Sequence, residues 1–206
     1  MYGNKQLDAI KNWVGTGSIN IFGRPLAGKD TQGRQLAEIL DGNVIGGGET
    51  LRGSAIPDNI KEYMHNGKLI PSDDYVTIVL PYLNQPRLAN KPLILSSVGR
   101  WHGEEDGVIK ATDASGHPLK AVLYLALSDD DVYNRWRAIE ANKDRDDRLD
   151  DAEEILATRL AEFQEKTLPV LDYYRNLKML IEIDGGRTRD EVTNDIINAL
   201  YERAKN

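Results

Sequence analysis

GRPLAGKDT, at residues 23–31 of this 206-residue chain, has the features of a phosphate-binding loop. It is close to the pattern G-x-x-x-x-G-K-[ST], with one extra residue before Thr31. Glycines allow such a loop to curl until its backbone N–H groups converge on a phosphate, and the dipole of the following helix favours the anion. Lys29 would then reach the terminal phosphates, and Thr31 would offer its hydroxyl to Mg²⁺.

The flanking sequence predicts a strand before this loop and a helix after it. Residues 18–22 (SINIF) form a short apolar run, and residues 34–40 have helical spacing. Further strands are predicted at residues 92–97, 121–127 and 179–183. Further helices are predicted at residues 4–14, near 49–53, after Pro57, from Ser72, from Ser128, over 151–175 and from Thr188. Alternating strands and helices indicate an α/β protein with a parallel sheet covered on both faces.

Composition and charge exclude several classes of protein. The chain contains no cysteine, so it has no disulfides, no cysteine-ligated zinc and no thiol nucleophile, and this fits a reducing compartment. Its net charge of -7 disfavours binding to nucleic acids. The longest apolar run, residues 121–127, is much shorter than the ~20 residues of a membrane span. We therefore expect a cytoplasmic protein with no nucleic-acid or membrane partner.

Six segments, taken in order, resemble motifs of the adenylate kinase family of nucleoside monophosphate kinases. The family's loop is G-x-P-G-x-G-K-G-T-Q, and residues 23–32 read GRPLAGKDTQ, with Leu26 and Asp30 in place of two glycines. The other segments are GGETLR (47–52), GKLIPS (67–72), LSSVGRWHGE (95–104), RLDDAEE (148–154) and DGGR (184–187). Arg159 follows Arg148 at the family's spacing. The likeness covers residues 19–200, nearly the whole chain.

The resemblance implies a P-loop three-layer α/β/α fold with a central parallel sheet. Residues 1–206 would form a single nucleoside monophosphate kinase domain. Its core would comprise about residues 1–45, 90–134 and 160–206, with a helical acceptor-binding insertion at about 46–85 and a short lid at about 137–150. The lid segment is too short for the family's zinc-type lid, and the absence of cysteine also implies a form without zinc.

The resemblance also implies an activity, the transfer of the γ-phosphoryl group of ATP to AMP, which gives two ADP. The partners would be ATP, with Mg²⁺, and a nucleoside monophosphate, and the protein would be a monomer. Phosphoryl transfer depends mainly on positioning and on neutralising charge, and guanidinium groups hold phosphate through paired hydrogen bonds. The implied catalytic residues are Lys29, Arg100, Arg135, Arg148 and Arg159.

The implied binding residues fall into two sets. Those for ATP are Gly23, Pro25, Ala27, Gly28, Lys29, Asp30, Thr31, Arg135 and Arg187, with Thr31 also at the metal. Those for the acceptor nucleotide are Gly47, Arg52, Lys68, Ile70, Gly99, Arg100, Glu104, Arg148 and Arg159. Arg135 is assigned from its helix position only, and a second arginine of the lid stays open between Arg137 and Arg145.

The sequence departs from the family pattern at positions that matter for the chemistry. Ser96 replaces an aspartate that orients Mg²⁺ through water, and Asp30 would repel a nearby phosphate unless it turned away. Glu104 replaces a glutamine that reads the acceptor adenine. An ionised Glu104 could accept hydrogen bonds from the amino group of adenine or cytosine, or from both N1–H and the amino group of guanine. A kinase for CMP, UMP or GMP, and a nucleotide-binding module with weak or no catalysis, therefore remain as alternatives.

Overall fold

The structure, a computed structural model, describes residues 3–142 and 152–205. One all-parallel sheet lies at its centre. Within these residues its strands are β1 (Ser18–Gly23), β2 (Asn43–Gly46), β3 (Leu93–Ser96), β4 (Leu119–Ala126) and β5 (Leu180–Asp184). Their order across the sheet is β2-β3-β1-β4-β5, and every neighbouring pair is parallel. β1 is therefore central, and the segments that follow β1 and β3 emerge side by side at the carboxyl edge of the sheet.

Helices precede, connect and follow the strands. They are α1 (Asn4–Val14), α2 (Lys29–Leu40), α3 (Gly47–Gly53), α4 (Asp58–His65), α5 (Ser72–Val79), α6 (Glu105–Ala114), α7 (Asp129–Asn142), α8 (Glu153–Glu162), α9 (Leu168–Asn176) and α10 (Arg189–Ala204). Short 3₁₀ turns span Leu80–Asn84 and Pro86–Leu88, and a π-helical turn spans Phe163–Thr167. Among these helices, none is long and apolar enough to cross a lipid bilayer.

The alternation of side chains along β1 explains why helices cover both faces of the sheet. Ile19 and Ile21 are fully buried in a cluster that includes side chains of α1, α2, α7, α8 and α10. Phe22 points to the opposite face, where it packs with residues of β4 and α9. The predicted three-layer α/β/α arrangement around a central parallel sheet is thereby confirmed.

Helices α3, α4 and α5 all lie between β2 and β3 in the chain. Their buried side chains, among them Ile60 and Tyr75, form an apolar cluster with the 3₁₀ turns and with β3. These helices lie within residues 46–85, the range for which the sequence predicts an acceptor-binding insertion. Of the predicted lid, residues 143–150 lie outside the described residues.

Some elements differ from the sequence-based prediction. β2 and α6 were not predicted, because β2 has only four residues and α6 contains Gly107, which lowers helix propensity. The helix expected over residues 151–175 consists of α8 and α9, joined by the π-helical turn. Pro169 lies at the start of α9 and has no N–H for the carbonyl four residues earlier, so regular α-helical bonding stops there.

Asn20 of β1 fixes the segment that follows the neighbouring strand β3. Its side chain is fully buried. The amide nitrogen donates to the carbonyl of Val98 at 2.7 Å, and the amide oxygen accepts from the N–H of Val98 at 3.2 Å. One polar side chain in an apolar strand thus pairs both backbone groups of a buried loop residue.

We predict that Asn20→Ala lowers the free energy of unfolding by about 2–4 kcal/mol, because two buried backbone groups of Val98 lose their partners. Urea denaturation measures this change. The control is Asn194→Ala, at an exposed position of α10, which should change stability by less than about 0.5 kcal/mol. Equal effects of the two substitutions would contradict the role assigned to Asn20.

Candidate active site

The loop between β1 and α2 has the curled backbone that its sequence predicts. A Cβ added to Gly23 would lie 3.0 Å from both the Cβ of Ala27 and the carbonyl oxygen of Leu125, so this position has no room for a side chain. Gly28 caps α2 with a φ of 88°. Leu26 also has a positive φ, 62°, at the position where the family has glycine. A leucine in this region costs about 1–2 kcal/mol, so the surrounding contacts must hold the loop in this shape.

Arg135 of α7 provides one of those contacts. Its guanidinium donates to the carbonyl oxygen of Leu26 at 3.0 Å and to that of Gly185 at 2.6 Å. Arg135 therefore joins the phosphate-binding loop to the turn after β5. Arg187 in that turn is exposed and pairs with Glu191 and Asp195 of α10.

Lys29 is held with its ammonium against the loop. Its Nζ donates to the carbonyl oxygen of Arg24 at 2.8 Å. Desolvation, followed by the positive charge of Arg100, lowers the pKa of Lys29 to about 7. A bound anion would oppose both effects, so this ammonium is placed where a phosphate would raise its pKa.

A cavity of about 360 Å³ lies at the carboxyl edge of the sheet, a size typical of small-molecule sites. Most of the predicted site residues line it: Gly23, Pro25, Gly28, Lys29, Asp30, Thr31, Arg52, Lys68, Ile70, Arg100, Glu104 and Arg159. The phosphate-binding loop and the predicted acceptor residues, which come from segments far apart in the chain, thus border one cavity.

Other predicted residues do not line the cavity. They are Ala27, Gly47, Gly99, Arg135 and Arg187, whereas Arg148 lies outside the described residues. A Cβ on Gly47 would lie 2.5 Å from the Tyr75 hydroxyl, which accepts from the N–H of Gly99 at 3.3 Å. Tyr75 itself lines the cavity, so Gly47 and Gly99 shape its wall from behind.

Positive charges are concentrated around this cavity. Arg100 is partly buried, with its Nε donating to the Ser97 carbonyl at 3.4 Å, and burial lowers its pKa. The charge of Arg52 lowers the pKa of Arg100 further, and those of Arg100 and Arg159 lower the pKa of Lys29. These mutual effects indicate cations close enough to repel one another, an arrangement that bound phosphates would relieve.

The π-helical turn and the residue before it support the part of the cavity wall that contains Leu69 and Arg100, a contact that the sequence did not predict. The Thr167 hydroxyl donates to the carbonyl of Arg100 at 3.2 Å, and Glu162, just before the turn, accepts from the N–H of Leu69 at 2.9 Å. The indole N–H of Trp101 donates to the carbonyl of Ile70 at 2.8 Å. A tryptophan directly after a predicted phosphate-binding arginine is the one signal that could have pointed to this contact.

Glu104 presents an unusual carboxylate at the cavity. It is only 4 % exposed, and its Oε2 accepts from the N–H of Trp101 at 3.0 Å. Its Oε1 has no hydrogen-bond partner of standard geometry among the described residues. Burial raises the pKa of Glu104, although the Trp101 N–H and the Ser72 hydroxyl oppose this shift. A buried polar atom without a partner is rare enough to suggest a place for a ligand.

Two departures from the family pattern meet in the structure. The Ser96 hydroxyl at the end of β3 donates to Oδ1 of Asp30 in the first turn of α2, at 2.7 Å. Within residues 3–142 and 152–205, no group of three or more histidine, aspartate or glutamate side chains is placed to hold a metal ion. An ion bound at this cavity would therefore need ligand oxygens as well as protein oxygens.

Sequence comparison places these features in a known family. A family model described as adenylate kinase matches residues 21–179. An adenylate kinase of Parvibaculum lavamentivorans is 31% identical over 185 residues, which cover 87% of this chain and 90% of the relative. An adenylate kinase of a Cyanothece strain is 28% identical over 181 residues, covering 85% and 91%. The chain belongs to the adenylate kinase family.

Proposed function

We propose that this protein transfers the γ-phosphoryl group of ATP to AMP and forms two molecules of ADP. Family membership supports a nucleoside monophosphate kinase, and the identity of the acceptor is the proposed part. The observation that carries the proposal is the single cavity shared by Lys29 of the phosphate-binding loop and by Arg52 and Arg100. Such a cavity suits two phosphorylated ligands whose phosphates meet.

The chain's own residues supply positioning and charge for this reaction. The backbone N–H groups of the loop and the ammonium of Lys29 would hold the triphosphate, while Arg52 and Arg100 would hold the acceptor phosphate. Arg159 would neutralise charge between them. No general base is required, because the acceptor phosphate is already an oxyanion at neutral pH.

The cavity also fits the Mg²⁺ that accompanies ATP in such reactions. Thr31 and Asp30 both line it, and hydroxyl and carboxylate oxygens are suitable partners for this ion when substrate phosphates supply further oxygens. When bound, Mg²⁺ neutralises charge on the phosphates. Thr31 is the proposed hydroxyl partner, and zinc has no part in the proposal.

Further assignments belong to the proposal. Arg135 and Arg187 would contribute to ATP binding beside the loop, and Arg148 would act from the segment outside the described residues. The division into a core, an acceptor-binding insertion at about 46–85 and a short lid at about 137–150 is part of the same proposal. We also propose that the protein acts as a monomer in the cytoplasm.

GMP is the second candidate acceptor, favoured by Glu104. An ionised carboxylate accepts from two donors at once, and guanine offers N1–H and an amino group side by side. Adenine offers only one donor at this edge and leaves its N1 acceptor facing the carboxylate. CMP and UMP have no comparable observation in their favour.

We predict that Lys29→Met removes nearly all ADP formation from ATP and AMP, because the loop loses the charge that holds the terminal phosphates. A coupled assay for ADP measures turnover. Lys110→Met, at an exposed position of α6, is the matched control and should leave turnover unchanged. Unchanged turnover in Lys29→Met would refute the site.

Thermal unfolding of the same variant checks that it is folded. The folded-state pKa of Lys29, about 7, lies below the usual lysine value of 10.5, so the folded state binds fewer protons between these two pH values. The buried ammonium therefore lowers stability most below pH 7, and Lys29→Met should unfold at an equal or higher temperature.

ATP titration on wild-type protein completes the test. Binding without ADP formation from any monophosphate would indicate a nucleotide-binding module.

We also predict that ATP binding takes up a proton near pH 8.5. Lys29, with a pKa of about 7, is mostly neutral there before binding, and the triphosphate raises its pKa. Calorimetry in buffers of different ionisation enthalpy should give up to about one proton per ATP, falling towards zero at about pH 6. Lys29→Arg stays charged and should show no such uptake. Identical buffer dependence in both proteins would contradict the assignment.

The acceptor base is tested by Glu104→Gln. The amide can donate to N1 of adenine and still accept from its amino group, but it loses the second acceptor for guanine. We predict that the ratio of kcat/KM for AMP to that for GMP rises by about 10–100-fold, the value of a hydrogen bond to a charged group. Glu105→Gln, an adjacent buried carboxylate that bonds within its own turn, is the control. An unchanged ratio in Glu104→Gln would show that Glu104 does not read the base.

A further inference from the structure

Asp30 is a negative charge at the place proposed for a triphosphate. It lines the cavity in the first turn of α2, between Lys29 and Thr31. A carboxylate in contact with a polyanion is unfavourable unless a cation lies between them. If a triphosphate binds here, Asp30 therefore needs a cation beside it.

The described lysines and arginines do not provide that partner. No ion pair joins Asp30 to any of them, and Lys29, its neighbour, donates to the carbonyl of Arg24 instead. Their charges still act at a distance. Burial alone would raise the pKa of Asp30, but the Ser96 hydroxyl, Lys29 and Arg100 outweigh it, so the pKa lies below its usual value. Asp30 is thus an ionised carboxylate at neutral pH.

The contact with Ser96 orients this carboxylate. The buried Ser96 hydroxyl donates to Oδ1 at 2.7 Å, and no other hydrogen bond to the Asp30 side chain is present in the described part of the chain. An aspartate at position 96 would put a second carboxylate against Asp30, and like charges at this distance disfavour ionisation of both. Ser96 therefore allows Asp30 to stay ionised. The pair carries one negative charge, and this charge lies on α2 rather than at the end of β3.

We propose that Asp30, oriented by Ser96, is the carboxylate that holds the Mg²⁺ of bound ATP. This inference rests on the proposed function, because it needs a triphosphate on the loop. Mg²⁺ is commonly bound through one or two carboxylates together with substrate phosphates, and it keeps several of its waters. Asp30 and Thr31 both line the cavity in the first turn of α2, so this turn offers a carboxylate and a hydroxyl to the same site.

The test measures ATP affinity by calorimetry, with Mg²⁺ and with EDTA, in the absence of acceptor. Asp30→Asn keeps the size of the side chain and an oxygen for the Ser96 hydroxyl. With Mg²⁺ it should bind ATP about 10-fold or more weakly than the wild type, and with EDTA it should bind ATP more tightly, because repulsion is removed. A purely structural role of Asp30 would move both affinities in the same direction.

The exchange of positions gives a second test. In Asp30→Gly alone, Mg²⁺ should no longer strengthen the binding of ATP. In Asp30→Gly combined with Ser96→Asp, Mg²⁺ should strengthen it again, since the aspartate at the end of β3 supplies a carboxylate. Glu38→Gln, at an exposed position of α2, is the control and should leave both affinities unchanged. Thermal unfolding of each variant verifies folding.

The outcomes separate this inference from the proposed function. If wild-type protein binds no ATP under either condition, the proposed function fails. If it binds ATP and forms ADP, but Asp30→Asn retains the full effect of Mg²⁺, the assignment of Asp30 alone is overturned. Affinities that fall equally with Mg²⁺ and with EDTA would make Asp30 a residue that shapes the loop, which also overturns it.

Discussion

Positive charge held together in one partly buried cavity is the constraint on which the rest of this structure depends. Arg100 and Arg159 repel the charge of Lys29, and Arg52 repels that of Arg100. Desolvation further disfavours the charged forms of Lys29 and Arg100. A flexible surface would let such groups separate. Here the parallel sheet places these groups, which come from different segments, at one edge. The packing of the whole domain offsets the unfavourable free energy of bringing like charges together, and bound phosphates would lower it.

Backbone oxygens and a few buried polar side chains keep these cations in place. Carbonyl oxygens accept from Lys29, Arg100 and Arg135, and Asn20 pairs the loop that carries Arg100. The left-handed backbone of Leu26 is compatible with this arrangement because Arg135 holds its carbonyl. Leu26, in place of a glycine of the family pattern, thus has a left-handed backbone that the contact with Arg135 helps to hold.

The contact between Asp30 and Ser96 shows that two departures from the family's sequence pattern can act together. Each substitution taken alone suggests a weakened site, since one adds a charge beside a phosphate and the other removes a carboxylate near the metal. In the fold their side chains are 2.7 Å apart and retain a single negative charge. A binding module without catalysis therefore draws less support from Ser96 than the sequence suggested.

The sequence by itself determined the curled glycine-containing loop between β1 and α2, the alternation of most strands and helices, and many of the residues that surround the cavity, because these depend on local spacing and on apolar periodicity. It did not reveal β2 or the π-helical turn, whose short or interrupted patterns have no distinct local signal. Only the tertiary structure decided that Ser96 meets Asp30 across 66 residues of chain, and that Oε1 of Glu104 is buried with no hydrogen-bond partner of standard geometry among the described residues. Both facts depend on which segments the sheet brings together and on how much water remains beside them, and neither is encoded in neighbouring residues.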